Sequence, residues 1–206
     1  MAVPKDPSMT EANFRKADHP IHALFLERWS PRAFTGEAMP EAELMTLLEA
    51  ARWAPSSYNS QPWRFIYAIK DTPHWSKLLG LLNEFNQSWA KHAGVIIILV
   101  SSETMLPPGA DKPIPAYSHS LDAGAAWAQL ALQAAVSGWQ AHGMVGFDIP
   151  RAATELGVPT GWRVEAAIAV GRKGDKSLLP EGLQAREHPS PRKPLAEIAF
   201  EGGFEG

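Results

Sequence analysis

The chain has 206 residues, 45% of them apolar, and its 19 basic against 22 acidic residues leave a net charge of −3. That length suits one domain (residues 1–206) with one substantial core, and the near-neutral balance gives no electrostatic case for nucleic-acid or membrane-surface binding. Cysteine is absent, which removes disulfides, thiolate catalysis, iron–sulfur clusters and thiolate zinc sites.

Residues 1–20 read as a polar leader without an apolar signal core, and the longest apolar run, residues 95–100, is too short to cross a bilayer. A soluble, cytoplasmic protein is the expectation. Residues 22–28 read as a short helix that Pro31 stops. Arg28, Ser30 and Arg32 then fall on one side of an extended segment, because side chains there repeat every two residues. That side suits a phosphate or a carboxylate; a pair of solvated arginines is the plain alternative.

Residues 40–53 form the clearest amphipathic helix, with Leu44, Leu47, Leu48 and Ala51 at i, i+3, i+4 and i+7 and Glu41 and Glu43 near its positive end. Residues 54–63, Ala-Pro-Ser-Ser-Tyr-Asn-Ser-Gln-Pro-Trp, link it to a strand over 64–69. Two prolines fix φ in this link, while its serines, Asn59 and Gln61 hold short donors and acceptors close to the backbone. Such a loop suits the polar edge of a planar ligand, or it is an ordinary turn held by local hydrogen bonds. A helix from Pro73 carries Trp75, Leu78, Leu79 and Leu82 on one face and frays near Asn86.

Residues 94–101 predict a central strand covered on both faces. Residues 102–117, with Pro107, Pro108, Pro113 and Pro115, form a loop long enough for a lid or a dimer arm. Ser118 or Ser120 caps a helix that runs to Val136 and ends at Gly138. It is apolar nearly all round, so it must be buried on most sides, and its alanines admit a second helix closely enough to suggest a subunit interface. A tight, glycine-bearing connection over 143–148, a helix over 150–156 and a strand over 164–170 follow. The extended tail, residues 180–206, supplies through residues 195–200 an edge strand or a wrap around a neighbour. The alternation of strands and helices by itself suggests a parallel, doubly wound sheet.

No glycine-rich nucleotide loop occurs, so any phosphate must be held by side-chain cations. No Gly-x-Ser-x-Gly elbow supports Ser56 or Ser57 as a nucleophile. His19 and His22 lack a third metal ligand, while His119 and His142 stand alone. Trp63, Trp139 and Trp162 lie near the polar loops, either lining a pocket for a planar ring or belonging to the core.

Arg28-x-Ser30-x-Arg32 with Phe34, the leucine helix, Ala54-Pro55-Ser56-Ser57-x-Asn59-x-Gln61-Pro62-Trp63, the strand over 95–100, the alanine-rich helix from Asp122 and a closing Arg192-Lys193-Pro194-Leu195 together resemble the nitroreductase family of FMN enzymes. The resemblance implies an α+β three-layer sandwich: a mixed, mainly antiparallel sheet flanked by helices, in an intertwined homodimer with FMN at the interface. It replaces the parallel sheet suggested by pattern alone. It further implies that Arg28, Ser30 and Arg32 meet the phosphate, ribityl and pyrimidine edge, and that Pro55, Ser56, Ser57 and Asn59 touch the flavin bound mainly to the other subunit. Gly143, Met144, Val145 and Gly146 would face the N5 and O4 edge, with Arg192 the distal phosphate cation.

The implied reaction passes a hydride from NADH or NADPH through FMN to a nitroaromatic, quinone or other electrophilic small molecule, with no catalytic side chain required. A guanidinium such as that of Arg32 beside N1 would raise the flavin potential by about 30–65 mV for roughly 1.5–3 kcal/mol. Another flavin redox task, or flavin binding without turnover, are the alternatives. The chain departs from the family pattern at Gly138–His142, where Trp139 or His142 would narrow the substrate side. Neither Asn83 nor Asn86 is a clean match for the family's asparagine, and Arg172 and Lys173 compete with Arg192 for the phosphate.

Overall fold

The computed structural model describes residues 13–204. Its centre is strand β2 (Val95–Ser102), which has no polar residue from Val95 to Val100 and buries both faces. β1 (Trp63–Ile69) pairs with one side of β2. Beyond the other side, the sheet continues through β6 (Trp162–Gly171) to β5 (Gln140–Met144). Every pairing in this four-stranded sheet is antiparallel, which overturns the doubly wound arrangement suggested by strand–helix alternation. A two-stranded ladder of β3 (Thr104–Met105) and β4 (Ile114–Pro115) lies within the proline-rich loop.

Period-two alternation along β2 divides the core. Val95, Ile97 and Leu99 pack with residues of helices α2 (Glu41–Arg52) and α5 (His119–Val136). Ile96, Ile98 and Val100 face the opposite cluster, formed with α3 (Trp75–Leu79), α4 (Glu84–Ala90) and α6 (Ile149–Glu155). The result is helix, sheet, helix: a three-layer α+β sandwich. The shorter helices α1 (Leu24–Glu27) and α7 (Glu181–Gln184) flank the segment that carries the arginines.

Three local expectations need correction. The helix from Pro73 does not run on to Asn86: it stops at Gly80, and a second helix begins where the Asn83 side chain accepts the Asn86 N–H at 2.8 Å. Residues 140–144, whose last two belonged to the expected connection, are strand β5. Its glycine is used for packing, since a Cβ on Gly143 would lie 3.2 Å from the Trp127 ring. In the tail, residues 195–197 form a single 3-10 turn, and none of the described tail residues joins a sheet.

The turn into β2 tests how tightly the layers meet. A Cβ added to Gly94 would sit 2.5 Å from the Glu37 carbonyl oxygen and 3.0 Å from Met39 N, both backbone atoms. Gly94→Ala therefore lowers stability by about 1–3 kcal/mol, measured as an earlier midpoint of denaturant unfolding; an unchanged midpoint would mean that residues 37–39 yield freely.

Candidate functional site

Burial alternates along the arginine segment: Trp29, Pro31 and Ala33 are buried, while Arg28, Ser30 and Arg32 are half-buried. Two anchors fix it. Thr35 N–H donates to Arg172 O at 3.0 Å and Gly174 N–H to Ala33 O at 2.8 Å, tying the segment to the end of β6. The Glu187 carboxylate, reaching in from the tail, accepts the N–H groups of Arg32 and Ala33, each at 2.8 Å.

Arg28, Ser30 and Arg32 line a cleft of about 210 Å³ with Arg15, Arg186, Arg192, His142 and His188. None of its five guanidiniums forms an ion pair among the described residues. Burial, reinforced by Arg192, pushes Arg28 below the ordinary arginine value. Burial also lowers Arg32, with Glu187 opposing and Arg186 adding to the effect. The Arg32 Nε–H is buried with no acceptor, and the second Glu187 carboxylate oxygen is buried with no donor. Arginine stays charged throughout the folded range. The cleft is thus a concentration of positive charge with unused donors, suited to an oxyanion and above all to a phosphate.

The competing cations lie elsewhere. Arg172 Nη2 is 3.4 Å from Glu43 and its guanidinium stacks 4.1 Å from the Trp139 ring centroid, while Lys173 sits 5.7 Å above Trp29. Of the three, only Arg192 lines the cleft. Trp139 is fully buried and hydrogen-bonded to Glu43, and Trp63 is also buried, so neither lines a ligand pocket. Trp162 carries the Arg64 guanidinium at 5.3 Å.

The loop over 55–61 is held from α5: Ser57 N–H and Ser118 Oγ–H both donate to the buried Asp122 carboxylate, at 3.2 and 3.1 Å. Tyr58, Asn59 and Gln61 have φ of 52°, 53° and 47°, a left-handed conformation costly for side-chain-bearing residues. Pro55 and Asn59 are exposed and Ser56 and Ser57 half-buried, and none of the four lines the arginine cleft of its own chain. Gly143 and Met144 lie in β5, Met144 in the core. Val145 is exposed, and Gly146 is gripped by Asn86 Nδ2–H to its carbonyl at 2.9 Å and Asn83 N–H at 3.1 Å.

Sequence reading missed Arg15, Arg186, His188, Glu187 and Asp122. The polar run Arg186-Glu187-His188 before Pro189 was the one available signal; Arg15 had none. His142, held apart as a narrowing residue, is a cleft residue. Its Nδ1 lies 3.0 Å from Pro31 O, and because a carbonyl only accepts, that nitrogen carries the proton.

Burial depresses the His142 imidazole below its usual value, with Arg32 contributing and backbone contacts opposing. A depressed histidine remains neutral in the folded chain while the unfolded chain takes up a proton, so stability is lost as pH falls below about 6.5 toward the folded value. His142→Gln removes up to about 1.4 kcal/mol per pH unit of that slope. Denaturant unfolding of both proteins across this window measures it; parallel profiles would show that His142 does not contribute.

The family model described as the nitroreductase family matches residues 26–74. A crystal structure of an oxidoreductase containing FMN superposes with a TM-score of 0.91 at 49% identity, covering 96% of this chain and 100% of that one. A candidate nitroreductase from Desulfovibrio desulfuricans, solved in complex with FMN, is 29% identical with a TM-score of 0.67 over 92% of this chain and 100% of its own. The NADH dehydrogenase of Thermus thermophilus is 28% identical over 202 residues, 85% of this chain and 92% of that protein. Motif order, the antiparallel sandwich and full-length similarity agree, and the chain belongs to the nitroreductase family.

Proposed function

We propose that the chain is one FMN-binding domain of a homodimeric, cytoplasmic oxidoreductase that passes a hydride from NADH or NADPH to a nitroaromatic, quinone or similar electrophilic acceptor. One observation carries the reading: five guanidiniums share a small cleft in which, among the described residues, none has a carboxylate ion-pair partner. The donor set fits the phosphate end of FMN, and the relatives that contain FMN support the choice of flavin. FMN, when bound, supplies a two-electron carrier that takes up and returns a hydride.

The chain's own residues then bind and orient. Arg28 and Arg192 would neutralise the phosphate, with the Ser30 hydroxyl a further donor in the same cleft. Arg32, anchored through its backbone by Glu187, would present a fixed positive charge that favours reduced flavin. Asn86 and Asn83 hold Gly146 so that the backbone over residues 143–146 keeps one shape. No side chain of the cleft is assigned as an acid or base.

The dimer reading rests on α5. Leu121, Gly124, Ala128 and Val136 leave an exposed apolar stripe along a helix whose opposite face fills the core. A second copy placed on that stripe would cover it, and would bring the loop over 55–61, fixed to the same helix through Asp122, to the site of its neighbour.

The purified protein is expected to be yellow, to bleach with NADH or NADPH and to recover its colour with a quinone; indifference to both nucleotides would reject the reductase reading. Arg28→Ala with Arg32→Ala weakens FMN by at least about 100-fold, since two charge-assisted hydrogen bonds are lost; unchanged affinity by fluorescence titration refutes these contacts. Ala128→Arg sets a charge into the proposed helix contact. It should give a monomer by light scattering that retains little FMN, whereas a yellow monomer would count against a site shared between subunits.

A further inference from the structure

We propose that Arg15, upstream of the segment matched to the family, is a further phosphate-binding residue of the arginine cleft and the clasp that joins its two walls. The proposal rests on the FMN reading above. Arg15 Nε–H donates to Ser190 O at 2.8 Å, and Nη1–H groups donate to Leu26 O at 3.0 Å and Arg28 O at 2.8 Å. One guanidinium thus ties the tail to the exit of α1, where the family motif begins. Its Nη2 makes no hydrogen bond among the described residues, although the side chain lines the cleft.

Clasping alone does not require a charge here. Asn13 Nδ2–H, a neutral donor, already reaches Leu26 O at 2.6 Å. The charge of Arg15 is a liability until an anion arrives: burial lowers its affinity for a proton, and Arg192 and then Arg28 add repulsion. An exposed arginine would relieve that repulsion by swinging into water, but three carbonyls hold this one in place. A guanidinium fixed against like charges, with one nitrogen unspent, is a preorganised donor for a phosphate monoester.

The test compares FMN with riboflavin, which lacks the phosphate, by fluorescence titration of the flavin-free full chain. The wild-type protein should bind FMN more tightly. In Arg15→Gln, FMN affinity falls about tenfold to a hundredfold while riboflavin affinity holds, so the ratio of the two affinities falls by that factor. Arg15→Lys keeps the charge without the fork, and its ratio falls by less. An equal loss for both flavins leaves Arg15 as a clasp only and overturns the phosphate contact. An unchanged ratio in Arg15→Gln, or in Arg15→Lys where Arg15→Gln does not fold, also overturns it. Wild-type protein that fails to distinguish the two flavins would reject the cleft as the FMN phosphate site, whatever Arg15 does.

Discussion

The antiparallel register between β2 and β6 is the constraint on which the rest depends. β2 is buried on both faces, as is β6 from Ala167 to Gly171, so each demands a helical layer above and below; β5 and β1 then take the remaining edges. The register slips once, between Leu99 and Val100, leaving Glu165 as the extra residue. Its carboxylate accepts the hydroxyls of Ser101 at 2.6 Å and Ser120 at 2.7 Å, with His119 against the same Ser101. A sheet irregularity thereby fixes the start of α5, and α5 fixes the 55–61 loop through Asp122. At the far end, residues 33–35 pair with 172–174 just past β6, so the arginine segment is positioned by the same strand.

What the sequence made legible follows from the range of the forces involved. Alternation is local, so the Arg28, Ser30, Arg32 face and the buried run of β2 could be read directly, and the amphipathic period gave α2. Strand direction is decided between segments far apart in the chain, which is why alternating strands and helices pointed to a parallel sheet. The break between α3 and α4 turned on a single cap at Asn83, and β5 contains a glycine where a strand pattern would carry a large residue. Arg15 and Arg186 were illegible for a different reason. An arginine in a polar segment has no signature until folding sets it beside other arginines, 13 residues away for the Arg15 bond to Arg28 O and 175 for the bond to Ser190 O.

The two carboxylate clusters of the scaffold and the arginine cleft differ in how their polar groups are matched. The Asp122 and Glu165 clusters are closed, each carboxylate meeting specific hydroxyl or N–H donors. The arginine cleft is open: among the described residues none of its guanidiniums has a carboxylate ion-pair partner, Arg32 Nε is orphaned, and the one carboxylate that reaches the segment binds backbone rather than the arginine side chains. Buried donors left unmatched cost about 1–3 kcal/mol each, and selection for stability alone would remove them. Glu187 shows how the cost is contained. By spending one oxygen on the Arg32 and Ala33 N–H groups, it brings a negative charge near Arg32 without neutralising the guanidinium, so the segment is held in place while its positive charge stays available to a ligand.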